Sequence, residues 1–226
     1  MRALVLIAIL LSAVPVTRAQ QDDEYLMEIG GGVGMISYEG DFNGNILKGM
    51  QPMVSLIVRR NLNPYMGFRF SGTYGKLKGK AADTGSYYPD DPTAAYSFSH
   101  PVVDVGAVYE YNFWPYGTGR DYRGARRLTP YIYGGIGATY VSGTDKNVFT
   151  ANVPIGLGVK YKLKERWNVG VEWGIHFSLS DKLDGVEDPY GIKSSGLFKN
   201  TDCYSGLQFT LTYSFMTKCR TCNNDD

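Results

Sequence analysis

After its first twenty residues, the sequence lacks any apolar run of about 18 or more residues, the length that a transmembrane helix requires. This absence excludes a helical membrane protein and leaves either a soluble exported protein or a membrane β-barrel. An excess of one charge is also lacking, because 23 basic residues stand against 22 acidic residues. The near-neutral balance gives no indication of a general nucleic-acid binder.

Residues with catalytic chemistry are scarce. The chain has two histidines, His100 and His176, and three cysteines. Ser178 and Glu172 lie on the same strand face as His176, but without further geometry this is a weak signal for a hydrolase. The glycine run at 30–34 lacks the Lys-Ser/Thr that follows in a phosphate-binding loop. We therefore expect no enzymatic activity, no cofactor and no metal site.

The N-terminus is apolar over a short stretch. Arg2 precedes an apolar run from Ala3 to Val14, which is followed by Pro15 and the small-residue site Thr17-Arg18-Ala19. This order is typical of a secretory signal peptide, and the apolar run is too short for a comfortable membrane helix. Residues 1–19 are predicted to be a signal peptide, with an uncleaved anchor as the alternative.

Glycine and aromatic residues are abundant, with 28 glycines and 18 tyrosines. In the segment RWNVGVEWGIHFS, Arg166–Ser178, every odd position is apolar and every even one from Asn168 onward is polar or glycine, as in a strand with two different environments. Seven further segments alternate in the same way: 27–38, 52–59, 65–75, 101–113, 129–141, 152–163 and 206–215. Eight strands are an even number and can close into a barrel.

The polar face indicates which type of barrel forms. Glycines recur on this face. A glycine on a solvated outer face weakens the strand and shields no apolar surface, whereas the narrow interior of an eight-stranded barrel has room for few large side chains. The same face carries charges of both signs that can pair inside: Glu28, Arg69, Asp104, Glu110, Lys160 and Glu172. Aromatic residues gather near strand ends, as in membrane-interface girdles. We predict an all-β fold, an eight-stranded antiparallel transmembrane outer-membrane β-barrel over residues 20–215.

The lengths of the connections predict an orientation, because such barrels have short periplasmic turns and long outer loops. The connections at 60–63 and 164–166 are short, whereas those at 77–97 and 179–201 are long. Both termini are therefore expected in the periplasm. The connection at 114–128 is an exception, since it falls on the periplasmic side, is long, and carries Arg120, Arg123, Arg126 and Arg127. It is either a solvated basic loop or a docking surface for a periplasmic partner.

Two of the three cysteines, Cys219 and Cys222, lie on a polar tail, residues 216–226, that would extend into the periplasm. Cys203 lies at the opposite end of the last strand, roughly 50 Å from Cys219 if the chain is extended, which is beyond disulfide reach. Two thiolates do not complete a tetrahedral zinc site, and a redox pair would need a βαβ context. A bond to another chain or a local Cys219–Cys222 bridge remains.

Several segments resemble the PorG family of Bacteroidota outer-membrane proteins: EIGGGVGMISYEGDFN (28–43), RRNLNPYMGFR (59–69), YEYNFWPYG (109–117), LTPYIYGGIG (128–137) and VPIGLGVKYKL (153–163). The resemblance covers essentially the whole mature chain. It implies an outer-membrane component of the type IX secretion system whose partners are the periplasmic ring proteins PorK, a lipoprotein, and PorN. The Cys219-x-x-Cys222 tail looks like part of that pattern. The alternative is a general small barrel with an adhesion role or an enzymatic role in its lumen.

Overall fold

The computed structural model describes residues 25–39, 49–80, 97–117, 125–142, 147–179 and 203–217. These residues form eight strands: β1 (Tyr25–Glu39), β2 (Gln51–Asn63), β3 (Met66–Lys80), β4 (Ser97–Asn112), β5 (Leu128–Val141), β6 (Val148–Lys162), β7 (Trp167–Ser178) and β8 (Cys203–Thr217). The predicted signal peptide and the tail cysteines lie outside the described residues. Nowhere in the described ranges is there a helix long and apolar enough to cross a membrane.

Each strand pairs antiparallel with its neighbours in the chain, and β1 pairs with β8 to close the barrel. The predicted fold class is therefore confirmed. The first and last described residues, Tyr25 and Thr217, lie at one end of the barrel together with the connections at 64–65 and 163–166 and the described parts of the β4–β5 connection, and we call this the turn end. The opposite end, where β1, β3, β5 and β7 finish and β2, β4, β6 and β8 begin, is called the loop end.

The amphipathicity of the strands is inverted relative to a soluble protein. Apolar side chains such as Leu56, Ile136 and Phe209 are 76%, 72% and 60% exposed on the outside. The charged side chains of Arg69 and Glu110 are 2% and 0% exposed. Burying charge while exposing apolar bulk is favourable only where the outer solvent is itself apolar, as in a lipid bilayer.

Two strands are longer than the sequence pattern predicts. The loop expected at 77–97 is shorter, because β3 continues to Lys80 and β4 begins at Ser97. Leu77 pairs with His100 in this extension and its side chain is fully buried in the lumen. The extended pairing supplies backbone hydrogen bonds and packs Leu77 against other apolar side chains. These gains favour a strand even though the segment is rich in polar residues.

The lumen is not uniformly polar, which corrects the expectation of a polar inner face. At the loop end an apolar layer fills it, made of Ile36, Tyr38, Met53, Leu77, Phe98, Val102, Val141 and Tyr204. A smaller apolar cluster of Val108, Tyr131 and Tyr133 lies deeper in the barrel. The two valines that interrupt the polar side of the predicted fourth strand, Val102 and Val108, are thus each part of an internal cluster.

Candidate functional site

Glu110 on β4 is the centre of a charged network in the lumen. Its Oε2 lies 2.9 Å from Nε of Arg59 and 2.6 Å from Nζ of Lys160, and its Oε1 lies 3.3 Å from Nε of Arg69. These cations come from three other strands, β2, β3 and β6. One fully buried carboxylate therefore ties four strands together across the barrel.

The network extends to two further carboxylates. Glu28 accepts hydrogen bonds from Arg59 at 2.6 Å, Asn61 at 3.0 Å and Thr212 at 3.0 Å. Glu172 is paired with Arg69 and also accepts hydrogen bonds from Tyr131 and Gln208. Because these three carboxylates face three cations, the network is neutral and its charges are compensated, as a buried ionic cluster requires. Of the charges predicted to pair inside the barrel, Arg69 and Lys160 pair with Glu110, and Arg69 also pairs with Glu172. The pairing partner of Glu28 is Arg59, which was not predicted.

A second polar cluster surrounds Asp104, nearer the loop end. Its Oδ2 accepts hydrogen bonds from Thr139 at 3.0 Å, Asn152 at 2.5 Å and Tyr204 at 2.7 Å. His176 faces inward as predicted, with its ring stacked on Tyr204 at 4.6 Å and its Nδ1 3.6 Å from Oδ1 of Asp104. The histidine is held by stacking and by a 3.1 Å contact with the Tyr204 hydroxyl.

A cavity of about 40 Å³ lies between the two clusters and is lined by Arg69, Asp104, Glu172, His176 and Tyr204 among others. A volume of this size accepts a few water molecules and no organic substrate, since a water needs roughly 10–15 Å³ on this measure. Ser178 and Glu172 share a face with His176, but Glu172 is engaged by Arg69. Within the described ranges no three His, Cys, Asp or Glu side chains gather to hold a metal ion.

The connection between β4 and β5 closes the turn end of the lumen. Tyr116 is 9% exposed, and its hydroxyl donates a 3.0 Å hydrogen bond to Oδ1 of Asn168 on β7. Burial raises the pKa of Tyr116 well above its ordinary value, which keeps the hydroxyl protonated. The ammonium groups of Lys160 and Lys162 each lie 5.7 Å from the centre of its ring.

Backbone hydrogen bonds hold this connection against the barrel. The Tyr116 amide donates to the Pro64 carbonyl at 2.9 Å, in the β2–β3 turn. The two ends of the connection also bind each other, since the Arg126 amide donates to Pro115 at 2.7 Å and Gly117 donates to Arg126 at 3.2 Å. The connection therefore begins and ends in a fixed geometry at the turn end.

The structure places two of the six predicted site residues. Arg126 and Arg127 are exposed at the turn end, and the Arg126 guanidinium lies 4.9 Å from the centre of the Trp114 ring. The Arg127 carbonyl accepts a 2.8 Å hydrogen bond from the Lys162 amide. Arg120, Arg123, Cys219 and Cys222 lie outside the described residues. Sequence reasoning missed Tyr116, because a tyrosine in a Gly- and Arg-rich connection carries no periodic signal.

Comparison with protein families gives one match over nearly the whole chain. The model described as "Domain of unknown function (DUF6089)" matches residues 2–224. The chain belongs to this family. Among curated proteins, none matches the chain significantly in sequence.

Solved structures similar to this DUF6089 member include three small barrels. Neisserial surface protein A (NspA) has a TM-score of 0.48 and 11% identity, and the alignment covers 84% of this chain and 97% of NspA. The outer membrane protein OprG from Pseudomonas aeruginosa has a TM-score of 0.47 and 11% identity, with 88% and 99% covered. Ail, the attachment invasion locus protein of Yersinia pestis, has a TM-score of 0.45 and 11% identity, with 86% and 99% covered.

Proposed function

We propose that this protein is an outer-membrane component of the type IX secretion system that anchors a periplasmic ring to the membrane through its turn end. The observation that supports the proposal most directly is at the two described ends of the β4–β5 connection, where Tyr116 is hydrogen-bonded to the barrel while Arg126 and Arg127 are exposed. A long connection that is fixed at both ends and carries exposed arginines is suited to hold a partner.

The filled lumen argues against a transport function for the barrel itself. The apolar layer occupies the loop end, the charged network occupies the middle, and Tyr116 covers the turn end. The cavity of about 40 Å³ between the two polar clusters is also too small for the substrate of an enzyme acting at that point of the lumen. The proposed anchoring function therefore relies on a surface at one end of the barrel.

The resemblance to the PorG family supplies the identity of the proposed partners, PorK and PorN. In this proposal the exposed apolar side chains of the outer wall lie in the outer membrane. The turn end and both chain termini lie in the periplasm. One of the tail cysteines, Cys219 or Cys222, forms a disulfide with the lipoprotein partner. A local bridge between the two cysteines is the alternative outcome.

Purification of the barrel from native membranes without reductant tests the proposal. We expect periplasmic ring proteins to accompany the wild type and to be lost from an Arg126→Glu, Arg127→Glu double variant, because the reversed charges repel the partner. The matched control reverses two lysines toward the loop end, Lys76→Glu and Lys78→Glu, and should retain the ring. Equal recovery of ring proteins with both double variants contradicts docking at the basic connection.

Non-reducing electrophoresis of the same membranes tests the tail. A covalent bond to the partner gives a heavier species that collapses on reduction and is absent in a Cys219→Ser, Cys222→Ser double variant. A monomer without reductant, together with normal secretion by the double variant, would remove the tail as the covalent anchor. The basic connection would then be the remaining candidate for anchoring.

A further inference from the structure

The outer wall of the barrel carries a groove of about 690 Å³ that crosses β6, β7, β8, β1 and β2. Its lining is almost entirely apolar and includes the small residues Gly31, Val169 and Val171 beside the larger Phe209 and Leu211. Gly31 and Val169 both pair with Leu211, on its two sides. Small side chains therefore flank Leu211 on both sides within the groove.

Beyond the turn-end residues of the groove lining, Leu211 and Val169, lies a cluster of aromatic rings and one cation. Two residues beyond Leu211, Tyr213 pairs with Trp167, and the two rings meet edge to face at 5.2 Å. Arg166, the residue before Trp167, is exposed in the β6–β7 turn. Its Nη1 donates to the Tyr213 hydroxyl at 3.1 Å. A cation is thus held on the turn-end side of the groove, beside the residue two positions beyond Leu211.

A second tyrosine fixes the same guanidinium. Nε of Arg166 donates to the Tyr25 hydroxyl at 3.0 Å, and its Cζ lies 5.3 Å from the centre of the Tyr25 ring. The Tyr25 hydroxyl in turn donates to the Glu165 carboxylate. A guanidinium has five N–H donors, and each tyrosine takes one of them. Its fork geometry suits the two oxygens of a phosphodiester, and the tyrosines reduce the entropy lost on binding one.

We propose that this groove binds one glycerophospholipid, with an acyl chain along Gly31, Val171 and Leu211 and its phosphate on Arg166. An apolar groove with a cation and aromatic rings on its turn-end side matches a molecule with an apolar chain and an anionic group. A second barrel would offer only its apolar wall and would leave the guanidinium without a counter-charge. The inference rests on the proposed orientation of the turn end, so the lipid comes from the periplasmic leaflet.

Native mass spectrometry of the purified barrel with palmitoyl-oleoyl phosphatidylethanolamine tests the inference. The wild type should retain one lipid, and Arg166→Gln should retain about five- to tenfold less, because a charge-assisted contact is lost. Arg166→Lys keeps the charge and should recover part of the retention. Val171→Trp fills the groove and should also lose the lipid. Palmitoyl-oleoyl glycerol, which lacks the phosphate, should not be retained.

Two matched controls make comparable changes outside the proposed site. Lys164→Gln removes a charge from the same turn, and Ile136→Trp adds an indole to the outer face of β5, outside the groove. Both should bind lipid like the wild type. The proposed site is overturned if all folded variants retain the phospholipid equally, or if the wild type retains the phosphate-free lipid as well as the phospholipid. Preferential retention of lipid A would overturn the assignment of the lipid to the periplasmic leaflet. If the wild-type barrel retains no phospholipid while ring proteins still co-purify with it, this inference is overturned and the proposed function still stands.

Discussion

At the scale of single residues, Glu110 pairs with more cations than either of the other two carboxylates in the lumenal network. Its carboxylate is in contact with Arg59, Arg69 and Lys160, and all four side chains are buried. A buried cation that loses its partner keeps its desolvation cost without the compensating attraction. The stability of the barrel therefore depends on this one carboxylate more than on any exposed ion pair.

Replacing Glu110 tests this dependence. We expect Glu110→Gln to lower the free energy of unfolding by about 3–5 kcal/mol, because the cations around it are left uncompensated. A Glu110→Gln, Lys160→Met double variant restores neutrality and should recover part of the loss. Urea unfolding in detergent or lipid, followed by tryptophan fluorescence, gives both values. A double variant no more stable than the single one would show that the charges are not coupled.

The two faces of one strand give a second test at this scale. Val105 is 58% exposed near the middle of β4, whereas Gly106 faces the lumen, with Ser71 Oγ 3.6 Å from where a Cβ would lie. Val105→Arg should cost roughly 2–4 kcal/mol in the bilayer, and Gly106→Ala should cost much less. The heat-resistant folded band on a gel measures both. Similar losses for the two variants would contradict the assignment of inside and outside.

At the scale of elements, the sequence predicted the strands far better than the connections. The alternation in β7 follows directly from two different solvents on its two sides, so it can be read without knowing the partner strands. The same reasoning placed His176 and Glu172 inside the barrel. It did not predict the extension of β3 to Lys80, because that extension depends on pairing with β4 across the sheet.

For the polar networks too, the sequence predicted which side chains face the lumen but not which of them contact each other. The alternation of side chains along each strand placed Glu110 and Lys160 in the lumen. Their 2.6 Å contact depends in addition on the relative register of β4 and β6 across the barrel. The β4–β5 connection has no period at all, so the role of Tyr116 could not be read from the sequence. What it contacts is set by Asn168 on β7 and by the β2–β3 turn, both distant in the chain.

The Tyr116 contact can be tested by removing a single hydroxyl group. Tyr116→Phe should destabilise the barrel by about 1–2 kcal/mol, because the buried Oδ1 of Asn168 loses its donor. Tyr111→Phe makes the same change on the outer wall, where the ring is 40% exposed, and should have little effect. Thermal unfolding compares the two. A larger loss for Tyr111→Phe would show that the connection does not close the lumen through this bond.

At the scale of the whole molecule, the barrel divides into layers along its axis. An apolar layer lies at the loop end, polar clusters lie in the middle, and the β4–β5 connection with its tyrosine lies at the turn end. In the proposed function the barrel with these layers is a filled support. A support of this kind is useful for what it holds at its ends, so the side of the membrane that each end faces decides which partners it can reach.

The orientation of the barrel in living cells tests the central claim most directly. One strain carries an epitope after Asp226 and another carries the same epitope after Ser142, in the β5–β6 connection at the loop end. Antibody binding is measured on intact cells and after the outer membrane is permeabilised. We predict that the Ser142 epitope is detected on intact cells and that the Asp226 epitope is detected only after permeabilisation. Detection of the Asp226 epitope on intact cells would place the turn end outside and contradict its role in holding a periplasmic ring.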